Sequence, residues 1–179
     1  MPKLRQWRTA LAAQGCSLIL TTLLRDPEER LNSIVNYIKL QSTDEVNAFA
    51  ASGNDGQLQY LLFNSCEPRT EPTHAPRWCD QPAHVVPPTL TASDVNEGVA
   101  YLSEFDIIGR TKEIELFLEE IRDQTNWPSI PFQSKNRNPR KRPMLSPASL
   151  RLAAPHLERD NALLRGIWGS NYATQTISY

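Results

Sequence analysis

The sequence predicts an α/β fold, a parallel sheet flanked by helices and mostly helical overall, on three observations. Residues 17–24, SLILTTLL, form a continuous apolar and threonine-rich run between Gly15 and Pro27, the composition of a strand buried on both faces. A proline-started helix follows at once. Further along, a helical pattern leads directly into the short apolar run FDIIG, as a helix returning to a sheet does. A length of 179 residues suits one globular domain over 1–179, and 14 prolines against 7 glycines point to long irregular connections.

Taken in order, residues 5–13 read as a short helix with Trp7 and Leu11 one turn apart and Gly15 beyond its end. After the strand, Asp26 is placed to cap, Pro27 fits the first helical position, and Glu28 and Glu29 complement the positive end of a helix over 27–40. Leu31, Ile34 and Ile38 share one stripe of that helix, and Arg30, Ser33 and Tyr37 recur on the neighbouring face. Helices are expected over 43–51 and around QLQYLLF, and a long proline-rich excursion over 65–88. A helix capped near Ser93 then precedes a strand at 105–109. TKEIELFLEEIRD sets Ile114, Phe117, Leu118 and Ile121 on one face of the next helix. Residues 128–147 are basic and proline-rich and read as loop, SPASLRLAAP and HLERDNALLRGIW as two short helices, and 169–179 as a flexible tail.

Composition closes several routes. Nineteen basic residues against twenty acidic ones, a net charge of −1, argue against nucleic-acid binding by the whole domain. Mean hydropathy is negative, and no apolar run approaches the roughly 20 residues of a membrane-spanning helix. The first residues carry neither an apolar core nor a small-residue cleavage site, so no signal or anchor is read in this chain. Cys16, Cys66 and Cys79 lack the spacing of a zinc site, and no metal is expected. Cys66 and Cys79 bracket a loop whose closure is worth on the order of 3 kcal/mol in an oxidising compartment; the alternative is reduced, buried thiols.

The chemistry points to the junction LRDPEERLNS. A buried parallel strand that ends in an arginine and runs into a helix start favours an anion, because ligands collect at the carboxyl ends of such strands and a helix start adds positive potential. Arg25 offers a planar fork of donors and Ser33 a hydroxyl two turns into the helix, together suited to one phosphate. The other reading of the same residues pairs Arg25 with Asp26 or Glu29 and leaves Ser33 a helical serine.

LRDPEERLNS resembles the RDPxxRxxS signature of the sulfotransferase superfamily, especially the carbohydrate sulfotransferases of the Golgi type, the heparan sulfate 2-O-sulfotransferases among them. The resemblance continues in order through DGQLQYLLFNSC, similar to a glutamine-containing helical segment of the family, FDIIGRTKEIELFLEEI, similar to a strand and helix, and LSPASLRLAAPHLERDNALLRGI, similar to a C-terminal helix with a D-x-x-L pattern. It implies a P-loop-NTPase-like parallel sheet, and in-line transfer of a sulfuryl group from 3′-phosphoadenosine 5′-phosphosulfate to a carbohydrate hydroxyl. It also implies that Arg25 and Ser33 bind the donor's 3′-phosphate, that Arg30 fixes the turn by pairing with carboxylates, and that the location is the Golgi.

The family's loop for the 5′-phosphosulfate and its usual catalytic base lie before this strand. Residues 1–16 hold no glycine-rich turn, histidine or glutamate, so the expectation is a domain lacking that loop, inactive by itself, with its catalytic residues unknown. His74, His84 and His156, the last at a helix start, match no motif and read as exposed or capping residues. Lys135, Arg137, Arg140, Lys141 and Arg142 are candidates for an acidic polysaccharide acceptor or a solvated loop, and Trp127 and Trp168 read as packing residues. The alternative to a transferase is a non-catalytic module that binds nucleotide or glycan or serves interaction alone.

Overall fold

The computed structural model describes residues 2–38, 40, 42–52, 56–63, 90–128 and 145–169. In chain order the elements are α1 (Pro2–Ala12), β1 (Thr21–Leu24), α2 (Pro27–Ile38), α3 (Thr43–Ser52), α4 (Gln57–Phe63), α5 (Ala92–Leu102), β2 (Ile107–Arg110), α6 (Ile114–Thr125) and α7 (Pro147–Trp168). The fold is α/β and mostly helical, with a parallel sheet of two strands among the described residues. Contacts divide the chain into two compact units, Met1–Leu24 with Ala100–Gln133, and Arg25–Val99 with Ser134–Tyr179.

In the first unit β1 and β2 pair in parallel from Thr21↔Ile107 to Leu24↔Arg110. The strand is half the expected length and is not buried on both faces: Thr21 is exposed, Thr22 and Leu23 half-buried, and Leu24 buried. The ladder is limited by its partner. Leu20 already spends its carbonyl on the amides of Asp106 and Ile107 (2.9 and 3.2 Å) and its own amide on Asp106 Oδ2 (2.7 Å), so the chain ahead of Thr21 has no further strand to join in this pair. α1 ends where Gly15 adopts φ +73°, a left-handed backbone that glycine takes without penalty. It is tied down by ion pairs of Arg5 with Glu104 and of Arg8 with Asp106. α6 packs on β2 through the buried Phe117, and it ends at Asn126 in the left-handed region, whose amide closes on the Arg122 carbonyl at 2.7 Å.

In the second unit α2, α3 and α4 pack on α7. Buried Val35, Ala50, Leu58, Leu62, Ala153, Leu163 and Leu164 form its core. α7 is one helix and not the two short ones that Pro155 suggests. Proline removes one hydrogen bond and leaves the carbonyl four residues back unpaired. Leu152, Ala154 and Pro155 are exposed, so that loss occurs on the solvent side, while Ala153 and Asp160 stay buried on the other face and hold both halves in one line. His156 therefore lies within the helix, its Nε2 3.1 Å from the Ala51 carbonyl, and not at a helix start. Ser146 caps α7, its Oγ accepting the Ser149 amide at 3.0 Å. α5 begins after Thr91, which forms a capping box with Asp94, so the cap is two residues ahead of Ser93. The Cys66 and Cys79 pair, the proline-rich excursion, His74, His84, the basic run 135–142 and the tail from 170 lie outside the described residues.

Candidate anion site at the start of α2

Pro27, Glu28 and Glu29 build the helix start as the sequence leads one to expect, and Asp26 completes it. Asp26 Oδ1 accepts from the amides of Glu28 (3.1 Å) and Glu29 (3.2 Å), and its carbonyl accepts the Arg30 amide at 2.8 Å. Two of the orphan donors at this helix end are therefore occupied by the chain's own carboxylate. What remains for an external anion is side-chain chemistry.

Arg25 and Ser33 are both accessible to it. Arg25 is 40% exposed at its side chain, and its Nε lies 3.6 Å from Glu29 Oε2. Ser33 is exposed in the seventh position of α2, about 9 Å along the axis from Pro27 at a rise of ~1.5 Å per residue. Residues four apart are neighbours on a helix surface. Glu29, Ser33 and Tyr37 thus make one row, Tyr37 being 83% exposed, and Arg25 joins it through Glu29. Arg25 meets Glu29, as one of the two sequence readings had it, and the serine lies one turn beyond that pair.

The backbone of Arg25 is held in a way that local sequence does not announce. The Gln57 side chain closes a cyclic pair on it: Oε1 accepts the Arg25 amide at 2.7 Å and Nε2 donates to the Arg25 carbonyl at 2.6 Å. Gln57 is buried, and its own amide donates to Asp160 Oδ2 at 2.7 Å while the Leu58 amide donates to Oδ1 at 3.0 Å. Gly56 lies close against this carboxylate: a Cβ there would stand 3.3 Å from Asp160 Oδ1, a tight contact. Burial pushes the Asp160 carboxyl above its ordinary pKa, opposed by the Leu58 and Gln57 amides and by the positive charge of Arg30 and His156. The Arg30 charge thus favours the ionised form of Asp160. Arg30, Leu31, Phe49, His156 and Asp160 line part of a small open cleft whose walls are chiefly apolar.

Gln57 and Asp160 both lie in the motif blocks above, but residue type and spacing give neither of them a role. The available signal is positional. Asp160 falls on the buried stripe of α7 with Ala153, Leu163 and Leu164, and an acidic residue on an apolar stripe requires donors. Trp127, expected to pack, is 63% exposed. Among the described residues no group of three acidic, histidine or cysteine side chains is placed to hold a metal, and no helix is long and apolar enough to cross a membrane.

No family model, curated protein or solved structure matches this chain. The sulfotransferase reading therefore rests on the four motif blocks and on the chemistry of the residues in them.

Proposed function

We propose that this chain is a domain of the carbohydrate sulfotransferase type that binds 3′-phosphoadenosine 5′-phosphosulfate, with Arg25 and Ser33 on the donor's 3′-phosphate. The observation that carries the proposal is the arrangement of residues 25–33. An arginine directly after a parallel strand, its backbone anchored and its side chain 40% exposed with Nε buried, is followed by a capped helix with an exposed serine two turns on. The guanidinium supplies charge-assisted hydrogen bonds to phosphate oxygens, and the serine supplies a neutral donor on the same helix row. The P-loop-like sheet and Golgi location belong to this proposal, and so does a sugar hydroxyl of an acidic polysaccharide as acceptor.

In a complete transferase of this kind the donor contributes a sulfuryl group that moves in line to the acceptor oxygen, a reaction governed by positioning and electrostatics. Arg25 and Ser33 hold the far end of the donor and so orient it, and they touch no reacting atom.

Calorimetry with adenosine 3′,5′-bisphosphate tests this, with adenosine 5′-monophosphate as the partner that lacks the 3′-phosphate. The bisphosphate is expected to bind at least tenfold more tightly. A charge-assisted hydrogen bond is worth about 1.5 to 3 kcal/mol, so Arg25→Ala is expected to cost the bisphosphate at least tenfold and the monophosphate little. Ser33→Ala is expected to cost less than Arg25→Ala. Equal affinity for the two nucleotides, or no loss in Arg25→Ala, overturns the assignment. A labelled-donor assay then separates a transferase from a binding module.

A further inference from the structure

We infer that Gln57 is a positioning residue for Arg25, and that Asp160 holds Gln57 in that role. A relay from α7 through the start of α4 then sets how the guanidinium is presented to an anion. The inference rests on the donor-site reading above for its anion, and on the hydrogen bonds alone for the clamp itself.

Arg25 occupies a short gap. β1 ends at Leu24 and α2 begins at Pro27, so the Arg25 amide and carbonyl belong to neither the ladder nor the helix. A buried backbone group left unpaired costs free energy, and Gln57 satisfies both at once, as a neighbouring strand would. Two bonds from one planar amide, 2.7 and 2.6 Å, fix the peptide groups on either side of the Arg25 Cα and therefore the direction in which its Cα–Cβ bond leaves the backbone. At 5% exposure Gln57 leaves little room for water to take its place.

The chemistry selects glutamine. Ionised glutamate accepts only, and would set a negative oxygen against the Arg25 carbonyl. Methionine keeps the length and loses both bonds. Protonated glutamate has one O–H donor and one carbonyl acceptor, and so restores the pattern. Asp160 completes the relay. Its two oxygens take the amides of Gln57 and Leu58, which fixes the first turn of α4 and with it the Cα from which the Gln57 side chain reaches Arg25.

A merely structural role and a positioning role separate in a double-mutant cycle. The measurements are adenosine 3′,5′-bisphosphate affinity for wild type, Gln57→Met and Gln57→Glu, each with Arg25 intact and with Arg25→Ala, together with hydrogen exchange at the Arg25 amide. In Gln57→Met the exchange protection of the Arg25 amide is expected to fall at least tenfold and the bisphosphate affinity about fivefold. In the Arg25→Ala background the same substitution is expected to leave the affinity unchanged. Gln57→Glu keeps the inference testable should the methionine variant not fold: its affinity relative to wild type at the same pH is expected to recover as acid protonates the new carboxyl. An equal loss with and without the Arg25 side chain overturns the positioning role. Unchanged exchange at Arg25 overturns the clamp. If wild type does not bind the bisphosphate while Gln57→Met still deprotects Arg25, the donor-site reading fails together with the anion half of this inference, and the clamp is upheld.

Discussion

Arg25 and Glu29 face each other four residues apart, Nε to Oε2 at 3.6 Å, at the mouth of the proposed phosphate site. The glutamate competes with any incoming anion for the same guanidinium. Both side chains are about two-fifths exposed, 40% and 45%, and a pair of this kind contributes little to stability, typically about 0.3 to 0.5 kcal/mol. The contact is therefore readily exchanged for a phosphate. Glu29→Gln is expected to tighten adenosine 3′,5′-bisphosphate binding by about two- to threefold, with a melting temperature close to that of wild type. Calorimetry at low and high salt checks it, because the gain should shrink as salt screens the exposed carboxylate. Weaker binding in Glu29→Gln would mean that the glutamate orients Arg25 and does not compete for it.

The packing of α6 on β2 makes a second, independent prediction. A Cβ at Gly109 would lie 2.6 Å from Cγ and 2.8 Å from Cβ of the buried Phe117, and an aromatic ring anchored on a helix cannot step aside as a flexible chain end does. Gly109→Ala is expected to destabilise the protein by about 1 to 3 kcal/mol, the usual range for an overpacked core. Urea denaturation measures it, and Phe117→Ala, which removes Cγ and the ring, should cost less in the Gly109→Ala background than in wild type.

How much of this was legible beforehand follows from which interactions are local. The start of α2 was readable because Asp26, Pro27, Glu28 and Glu29 act on amides two or three residues away. The packed face of α6 was readable for the same reason at Ile114, Phe117 and Ile121, whereas Leu118, expected on that face, is exposed. The length of β1 was not, because a ladder can be no longer than its partner, and β2 offers four residues some 86 positions later. Continuity through Pro155 depends on which side of α7 meets solvent, a tertiary fact. Arg25 and Ser33 could be named as candidates from type and spacing. Gln57 and Asp160 could not, since their bonds join residues 32 and 103 positions apart and the sequence offers only an acidic residue on an apolar stripe.

Acid acts on α1 through Glu104. The hydrogen bond from Arg5 is the largest influence holding this carboxyl below its ordinary pKa, with the Arg5 charge adding to it and partial burial opposing it. A group depressed in the folded state contributes stability above its unfolded pKa, about 4.3, and that contribution disappears as the pH falls through the folded value. Loosening of α1 is therefore expected only below about pH 4.3. Trp7, on the same helix and 57% exposed, reports it by fluorescence. In Glu104→Gln the signal should already be partly shifted at pH 7. An acid transition in Trp7 that is identical in Glu104→Gln would remove Glu104 as its cause.

Asp160 runs with the opposite sign. Burial is the largest influence on its carboxyl and raises the pKa, against the Leu58 and Gln57 amides and the charges of Arg30 and His156. A group raised in the folded state favours folding below its unfolded pKa, about 3.9, and that contribution is lost as the pH rises through the folded value. Acidification from neutral pH should therefore stabilise wild type through this residue, whereas Asp160→Asn, which does not titrate, lacks the gain. The asparagine offers one acceptor oxygen where two amides converge, so it leaves a buried N–H unpaired, at a cost of about 1 to 3 kcal/mol. The expected result is a variant less stable than wild type throughout, with the gap widening as the pH is lowered from 7 towards 4. Urea denaturation at several pH values measures the gap directly. If it narrows in acid instead, the two amides and Arg30 outweigh burial, and Asp160 is a stabilised anion with a depressed pKa.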